Sequence, residues 1–467
     1  MLQGASQQER PMLRETQPPP PPSPSFLQQH WRAVLGVGSF AGMVFGVIKG
    51  QQEDRVLLIV LCAAGLIALT LATWRSVQPR PSPPTPLGIA GNAPAAVACS
   101  VGGYDALTGA TLGAHGATRG AAQSFEGVPD EELVTVKVAA AGINYADICL
   151  RWGLYDSWNQ FGGGLRPGQE GPGAKGDVPG FEFSGTIAEV KPGASHNLKV
   201  GDEVFGATMF GGYSSRLVVP GHLAFQRPEQ LSATAAGAFT CVAMTAWFAV
   251  QQQAQPIARG HWVLVHSAAG GVGSMLVQIC KIKGWRVLAV VGAPHKISAC
   301  HALGADAVVD KSSQDLWAEA KSIAPEGFAA VFDANGVGTI KQSYEHLAPC
   351  GKLIVYGFHT MLPRKGGVIG LKQWLGMARD YLRTPTFNPL SMTAANKSVM
   401  SFNLSFLFQR RDLLEVAMGD VMEWVASGAL TVPKVTSFKL DEVRAAHAAL
   451  ESGTTVGKLV LIPPNPQ

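Results

Sequence analysis

The sequence predicts an α/β fold built on a doubly wound parallel sheet, preceded by a membrane anchor. Three observations predict it. Residues 263–273 read VLVHSAAGGVG, an apolar run that breaks into a glycine cluster. Apolar strand-like runs then alternate with helical stretches, the pattern of a parallel sheet with helices on both faces. Ahead of both lies Val56 to Trp74, 19 residues without a charge.

The glycine cluster comes first, because it places the chemistry. Apolar spacing resumes at Met275, Leu276 and Ile279, so the run is a strand, a tight turn and a helix start. In the G-x-G-x-x-G frame the positions are Ala268, Gly270 and Gly273, with Gly271 and Val272 between the last two. Gly270 lets backbone approach a pyrophosphate, Gly273 lets helix and strand pack closely, and free N–H groups at the helix start favour an anion. Ala268 departs from the glycine of the frame. The sequence therefore predicts a Rossmann dinucleotide-binding unit. Its further strands are expected at Val287–Val291, Ala307–Val309, Ala329–Phe332, Leu353–Tyr356 and Val399–Leu404.

The second strand ends at Gly292, about 20 residues after Gly273, where an NAD site places a carboxylate on the ribose 2′-hydroxyl. Here the sequence is GAPHK. A 2′-phosphate would meet no repulsion there and could pair with Lys296, and with Lys311 after the third strand. NADP(H) is the expected cofactor. The plainer alternative makes Lys296 a solvated lysine at a helix start.

A succession of motifs flanks this unit. AGINYADICLRWGLY (141–155), VPGFEFSGTI (178–187), GDEVFG (201–206), GGYSSRLVVP (211–220) and MTAW (244–247) precede the glycine turn in that order. FKLDEVRAAHAALESGTTVGKLVLIP (438–463) closes the chain. The succession resembles the medium-chain dehydrogenase/reductase superfamily, within it the zinc-free quinone oxidoreductase, or zeta-crystallin-like, branch. YGFHTMLPRKGG (356–367) and ANKSVMSFNLSF (395–406) look most like its vesicle amine transport protein subgroup.

The resemblance implies a GroES-like catalytic domain at 101–239 and 409–465, interrupted by the Rossmann domain at 240–408. In the alcohol dehydrogenase branch a cysteine, a histidine and a second cysteine hold catalytic zinc. Those positions fall here on Asn144, Phe181 and Cys241, and one thiolate cannot hold the metal. The other cysteines are scattered, so no structural zinc cluster is expected either. Without a Lewis acid, the expected acceptors are quinones and α,β-unsaturated carbonyls, whose charge is delocalised after hydride arrives.

By the same resemblance Asn144 would orient the reacting pair and Tyr155 would donate to the developing oxyanion. Thr245 would contact the cofactor near its nicotinamide, and Gly357 and Asn403 would present backbone to the carboxamide. Alternatives stand beside these roles: Asn144 could bond backbone in a turn, and Tyr155 could be a half-buried aromatic. Asp147 and Arg151, four apart, have the spacing of an intrahelical ion pair. A homodimer is also compatible with the resemblance.

Residues 1–30 read as a proline-rich tail, around Pro18 to Pro24, and 76–100 as a second proline-rich linker. Between them, 31–75 hold one or two membrane spans. Val56–Trp74 approaches the roughly 20 residues a bilayer requires. Ala33–Ile48 is shorter, but Gly38, Gly42 and Gly46 recur every fourth residue and permit close helix pairing. In a hairpin, Arg10, Arg14, Arg32, Arg75 and Arg80 outnumber Lys49 and Arg55 in its loop, which puts both termini and the enzyme on the cytosolic side. A single span leaves orientation open. A glycine-rich insertion at 156–177 reads as a lid or a surface loop.

Other classes are disfavoured. There is no Gly-x-Ser-x-Gly elbow, His-Glu-x-x-His or Walker loop. A net charge of +4 is too dispersed for a nucleic-acid face. The richest basic stretch, Arg364, Lys365, Lys372, Arg379 and Arg383 around Trp374 and Leu375, reads as a solvated helix, with a membrane-surface helix as the alternative. The expected function is a membrane-anchored NADPH-dependent reductase of quinones or enones. Two rivals are a membrane or vesicle interaction protein with little turnover and an enoyl reductase of lipid metabolism.

Overall fold

The computed structural model describes residues 86–89, 95–99, 103–112, 117–119, 125–155, 178–194, 196–361, 371–407 and 410–464. The expected membrane stretches of 31–75, the proline tail and the 156–177 insertion lie outside the described residues. Among those described, no helix is long and apolar enough to cross a bilayer.

The chain opens with β1 (Ala95–Cys99) and β2 (Leu107–Thr111), paired antiparallel. Ala95–Cys99 falls within the stretch 76–100 that the sequence reads as a linker, so the last part of that stretch forms a strand. Five small, apolar residues make β1 fully buried, and its backbone is satisfied from the sheet beneath: Ala95 N–H donates to Ser215 Oγ and Val97 N–H to the Tyr213 carbonyl. Leu87 is tied down as well, its N–H donating to the Asp441 carbonyl at 2.8 Å.

Next come β3 (Thr118–Arg119), β4 (Leu133–Ile143), helix α1 (Tyr145–Arg151), β5 (Glu182–Val190), β6 (Glu203–Ala207), β7 (Arg216–Pro220) and β8 (Ala224–Gln226). The long apolar strand β4 is the spine of this sheet, pairing antiparallel with β5 and β7. α1 starts where Asn144 leaves the strand, its N–H bonded to Asp147 Oδ2 at 2.8 Å, so the first turn is fixed by its own acidic residue.

Helix α2 (Thr240–Trp247) leads into the parallel sheet. Its elements are β9 (Trp262–Val265), α3 (Gly271–Ile282), β10 (Arg286–Val291), α4 (Ile297–Ala302), β11 (Ala307–Asp310), α5 (Leu316–Ile323), β12 (Phe328–Asp333), α6 (Ile340–Glu345), β13 (Leu347–Val355), α7 (Leu371–Leu382), α8 (Pro389–Ala395) and β14 (Ser398–Ser401). The order is β11-β10-β9-β12-β13-β14 with every neighbour parallel, so the order reverses beside β9. A ligand crevice lies at such a reversal, outside the carboxyl ends of the strands. Val263, Leu264 and Val265 are all buried, as expected of a strand covered on both faces. The last strand is shorter than expected. It stops at Ser401 because the Asn403 side chain accepts from Ser405 N–H at 3.0 Å and turns the chain locally.

The chain returns through α9 (Arg411–Ala426), β15 (Val435–Lys439), α10 (Val443–Glu451) and β16 (Lys458–Ile462). β16 joins the first sheet antiparallel to β4. Its approach touches the other domain: Gly457 N–H donates to the Ala269 carbonyl at 2.9 Å, and Gly457 bridges Gly270.

Candidate active site

The glycine turn after β9 has the shape that an anion cradle needs. Ser267 takes a left-handed φ of 53°, and Gly270 caps α3 in an extended conformation. A Cβ on Gly273 would sit 2.3 Å from the Ser267 carbonyl oxygen, so only glycine lets the helix pass the strand there. A Cβ on Gly270 would meet only that same oxygen within 4 Å, at 3.2 Å, while one on Gly271 would press on Lys458 and Val242. Ala268 is buried and Val272 half-buried, so both serve packing. Asn335, after β12, accepts from Ser267 Oγ at 3.1 Å through Oδ1, while its buried Nδ2 has no partner among the described residues. A glycine turn, a helix start and an unused buried donor fit a dinucleotide.

The end of β10 is basic. Gly292 is exposed, and a Cβ there would meet only Lys311 Cε, at 3.6 Å. Lys296 is half-buried and its Nζ donates to the Gly453 carbonyl at 2.5 Å. Burial, and then the neighbouring Lys311, hold its ammonium below the usual lysine range. Both lysines therefore stand by Gly292. Lys296 is no simple solvated lysine, since it is already tied to the loop ahead of β16.

Across the cleft, Asn144 is fixed by a buried polar cluster. Its Nδ2 donates to Glu182 Oε1 at 2.9 Å, and its Oδ1 accepts from Lys458 Nζ at 2.8 Å. Lys458 Nζ also donates to Glu182 Oε1 at 2.7 Å and to the Ile143 carbonyl at 2.8 Å. Glu182 Oε2 takes the N–H of Cys241 at 2.8 Å. The stem of Lys458 passes Gly271, where a Cβ would lie 2.8 Å from its Cδ. The amide of Asn144 is thus oriented by side chains, beyond the turn contact weighed from sequence.

Tyr155 and Asn403 meet. The phenol donates to Asn403 Oδ1 at 3.2 Å and lies 2.8 Å from Ser405 Oγ, while its ring packs edge-on against Phe181. Asn403 Oδ1 also accepts the Ser405 N–H at 3.0 Å, and its carbonyl accepts the Phe406 N–H at 3.2 Å. Thr245 Oγ1 donates back to the Cys241 carbonyl at 2.6 Å, half-buried on α2. Gly357 follows β13, where a Cβ would press on the Ala334 carbonyl at 3.2 Å.

The expected Asp147–Arg151 ion pair does not form. Arg151 is fully buried and pairs with Glu451 at 2.7 Å, because α10 lays that carboxylate beside it. Asp147 instead takes the N–H groups of Asn144 and Gly180. Burial pushes its carboxyl up to about 7, against those bonds and one from Tyr213.

The three positions that hold zinc elsewhere do converge. Cys241 Sγ lies 3.3 Å from the Phe181 carbonyl, and Glu182 touches both Asn144 and the Cys241 backbone. An amide, a phenyl ring and one thiol, pushed well above its usual range by burial, do not make a zinc donor set. The cation among these groups is the Lys458 ammonium.

Sequence reasoning missed Glu182, Lys458, Asn335 and Ser405. Glu182 stood inside GFEFSG and Lys458 inside VGKLV; a charged residue amid an apolar strand run was the available signal.

Two family models match the chain, the alcohol dehydrogenase GroES-like domain over residues 130–252 and the zinc-binding dehydrogenase over 303–461. The synaptic vesicle membrane protein VAT-1 homolog of Homo sapiens is 28% identical over 340 residues, covering 72% of this chain and 80% of that protein. The Danio rerio homolog is 28% identical over 328 residues, but the chain spans only 63% of its length. A probable quinone oxidoreductase of Schizosaccharomyces pombe is 28% identical over 72% of this chain and 90% of its own. Among solved structures, a mycobacterial protein complexed with NADPH superposes with a TM-score of 0.62 at 25% identity, covering 79% of this chain and 100% of that one. The quinone oxidoreductase of Escherichia coli gives 0.63 at 24% identity over the same share of this chain, a likeness of fold. With this fold, this ordered set of motifs and a donor set that cannot hold zinc, the chain belongs to the medium-chain dehydrogenase/reductase superfamily, in its zinc-free, quinone oxidoreductase-like branch.

Proposed function

We propose that this chain is an NADPH-dependent, zinc-independent oxidoreductase that passes hydride to a quinone or an α,β-unsaturated carbonyl. The carrying observation is a juxtaposition: the glycine turn, with Lys296 and Lys311 beside Gly292, lies against the Asn144–Glu182–Lys458 cluster, whose Lys458 stem passes Gly271. The relatives' quinone oxidoreductase names and the NADPH complex of a structural neighbour support the reading.

When bound, NADPH supplies hydride. The chain's own groups do the rest. The first turn of α3 receives the pyrophosphate, Lys296 and Lys311 take the 2′-phosphate, and Asn335 offers its unused donor. Glu182 and Lys458 hold the Asn144 amide in one rotamer beside the reacting pair, and preorganised groups of this kind lower the barrier without reorganising. Tyr155, held between Asn403 and Ser405, would donate to the oxygen on which charge develops by turning its one O–H away from Asn403 Oδ1, with Ser405 Oγ still beside the phenol oxygen. Hydrogen bonds stabilise that charge less than a metal ion does, so acceptors that delocalise it are favoured.

The test is NADPH oxidation by the purified chain against quinones, enones, enoyl thioesters and simple ketones. Quinones or enones should turn over and keep doing so in chelator, whereas simple ketones should not. Turnover of simple ketones, or loss of activity in chelator, overturns the zinc-free mechanism. NADPH binding without turnover of any acceptor favours the interaction-protein reading.

Residues 31–75 belong to the same proposal as the membrane anchor, with the enzyme on the cytosolic side. The full-length chain should resist alkaline carbonate, and protease should digest both ends from the cytosolic face. Pairing of two copies completes the reading, because β14 closes the parallel sheet with one side unpaired among the described residues. A mass measurement in mild detergent decides between one copy and two.

A further inference from the structure

Helix α7 is inside out. Trp374, Leu375, Ala378, Tyr381 and Leu382 fall at i, i+1, i+4, i+7 and i+8, one face of a helix. Those are its exposed positions, with Leu375 63% and Leu382 80% exposed. Gln373, Gly376, Met377 and Asp380, on the other side, are the less exposed ones. An ordinary surface helix turns its apolar face to the core. Neither α7 nor α8 buries a single described side chain, and α8 adds Leu390 at 81% exposure. Apolar surface gathered this way marks a contact.

Charge identifies the contact. From Arg364 to Arg383 the sequence carries five Lys or Arg and one Asp, a net +4 that equals the formal charge of the whole chain. Arg379 and Arg383 are exposed beside the apolar face, Arg379 reaching Asp380 at 2.9 Å. A second copy seated on this face by two-fold symmetry would set these cations against their own copies. A bilayer with anionic headgroups covers the apolar face and pairs the cations at once. The helix also stands beside the cleft, following the turn of His359, whose ring lies 5.7 Å from that of Tyr145 at the start of α1.

We propose that α7 is a membrane-docking helix that lays Trp374, Leu375, Tyr381 and Leu382 into an anionic lipid surface, a second membrane contact separate from residues 31–75. It goes beyond the redox reading and does not depend on it.

Hydrogen exchange of the full-length chain tests it, without lipid, with phosphatidylcholine vesicles and with phosphatidylcholine–phosphatidylserine vesicles. Peptides covering 371–382 should exchange more slowly only with the anionic vesicles. Arg379→Gln and Arg383→Gln should each reduce that protection about fivefold, and Leu375→Ser with Leu382→Ser should abolish it. Unchanged exchange of the β9 peptide shows that the variants remain folded. Equal exchange in all three conditions overturns the proposal, and equal protection by neutral vesicles overturns its anionic partner. Protection without lipid that grows with protein concentration assigns the face to a second copy instead.

Discussion

Replacing Lys458 by methionine should unfasten the active-site side of the cleft. The lysine is 4% exposed and its partner Glu182 is fully buried, and they meet at 2.7 Å. Lys458→Met keeps most of the stem that passes Gly271 but removes three donated bonds, to Glu182, Asn144 and Ile143. Glu182 then keeps only Asn144 Nδ2 and the Cys241 N–H. Removing one partner of a buried pair costs about 3–5 kcal/mol, mainly because the other charge is left uncompensated. Removing both costs much less. The double variant Lys458→Met with Glu182→Met should therefore be more stable than Lys458→Met alone, with a coupling of at least about 1.5 kcal/mol.

Urea unfolding followed by the buried Trp247 and Trp285 gives the stabilities, and steady-state kinetics gives the second readout. Since Lys458 fixes the Asn144 amide, kcat should fall more than the affinity for NADPH. Additive costs in the double variant, or a loss below about 1 kcal/mol for Lys458→Met, would refute the argument that this ammonium compensates a buried carboxylate.

Three further outcomes are expected. Lys296→Ala should weaken NADPH by about tenfold or more while leaving NADH nearly unchanged, since a charge-assisted contact is worth about 1.5–3 kcal/mol; equal losses in a fluorescence titration would show that the Gly292 end does not read the phosphate. Gly273→Ala forces a Cβ to 2.3 Å from the Ser267 carbonyl oxygen, so the turn must open, with about 1–3 kcal/mol lost in stability and NADPH binding impaired; unchanged binding by calorimetry would contradict the close helix–strand contact. Asp147, buried, holds its proton up to about pH 7 against an ordinary value of 3.8, so its folded state binds protons more tightly than the unfolded chain. That contribution is fully present below about pH 4 and is lost as pH rises to about 7; melting curves should show the wild type losing ground to Asp147→Asn across that window, and parallel curves would remove Asp147 from the account.

The parallel sheet was legible because its central strands, β9, β10 and β12, are buried on both faces and read as unbroken apolar runs, and because Gly270 and Gly273 stand at a strand-to-helix break. Local signals of this kind survive in sequence. The strand Ala95–Cys99 was not legible, since its short run of small residues lies in a proline-rich neighbourhood and its partners, Tyr213 and Ser215, lie more than a hundred residues away. The Asp147–Arg151 pairing failed for the same reason in reverse. Helical spacing permits the pair, but α10 supplies Glu451, 300 residues on, in a site where Arg151 is fully buried. Tertiary burial outweighs a spacing rule worth a few tenths of a kcal/mol.

Asn144 illustrates how the active site depends on the whole chain. Its position was readable from the motif, but its orientation is set by Glu182, 38 residues on, and Lys458, 314 residues on. Lys458 reaches it only once β16 has entered the first sheet, and its stem finds room beside the second domain only because residue 271 is glycine. The bridge between Gly457 and Gly270 fixes that crossing in register. Cofactor cradle and active-site cluster are therefore joined through one strand at the end of the chain. A change at Gly457, where any Cβ would strike the Lys434 carbonyl at 2.0 Å and φ is 77°, would displace Lys458 together with the turn that faces it. Disturbance at this one point should impair cofactor binding and active-site order together, because the same two residues, Gly457 and Lys458, take part in both.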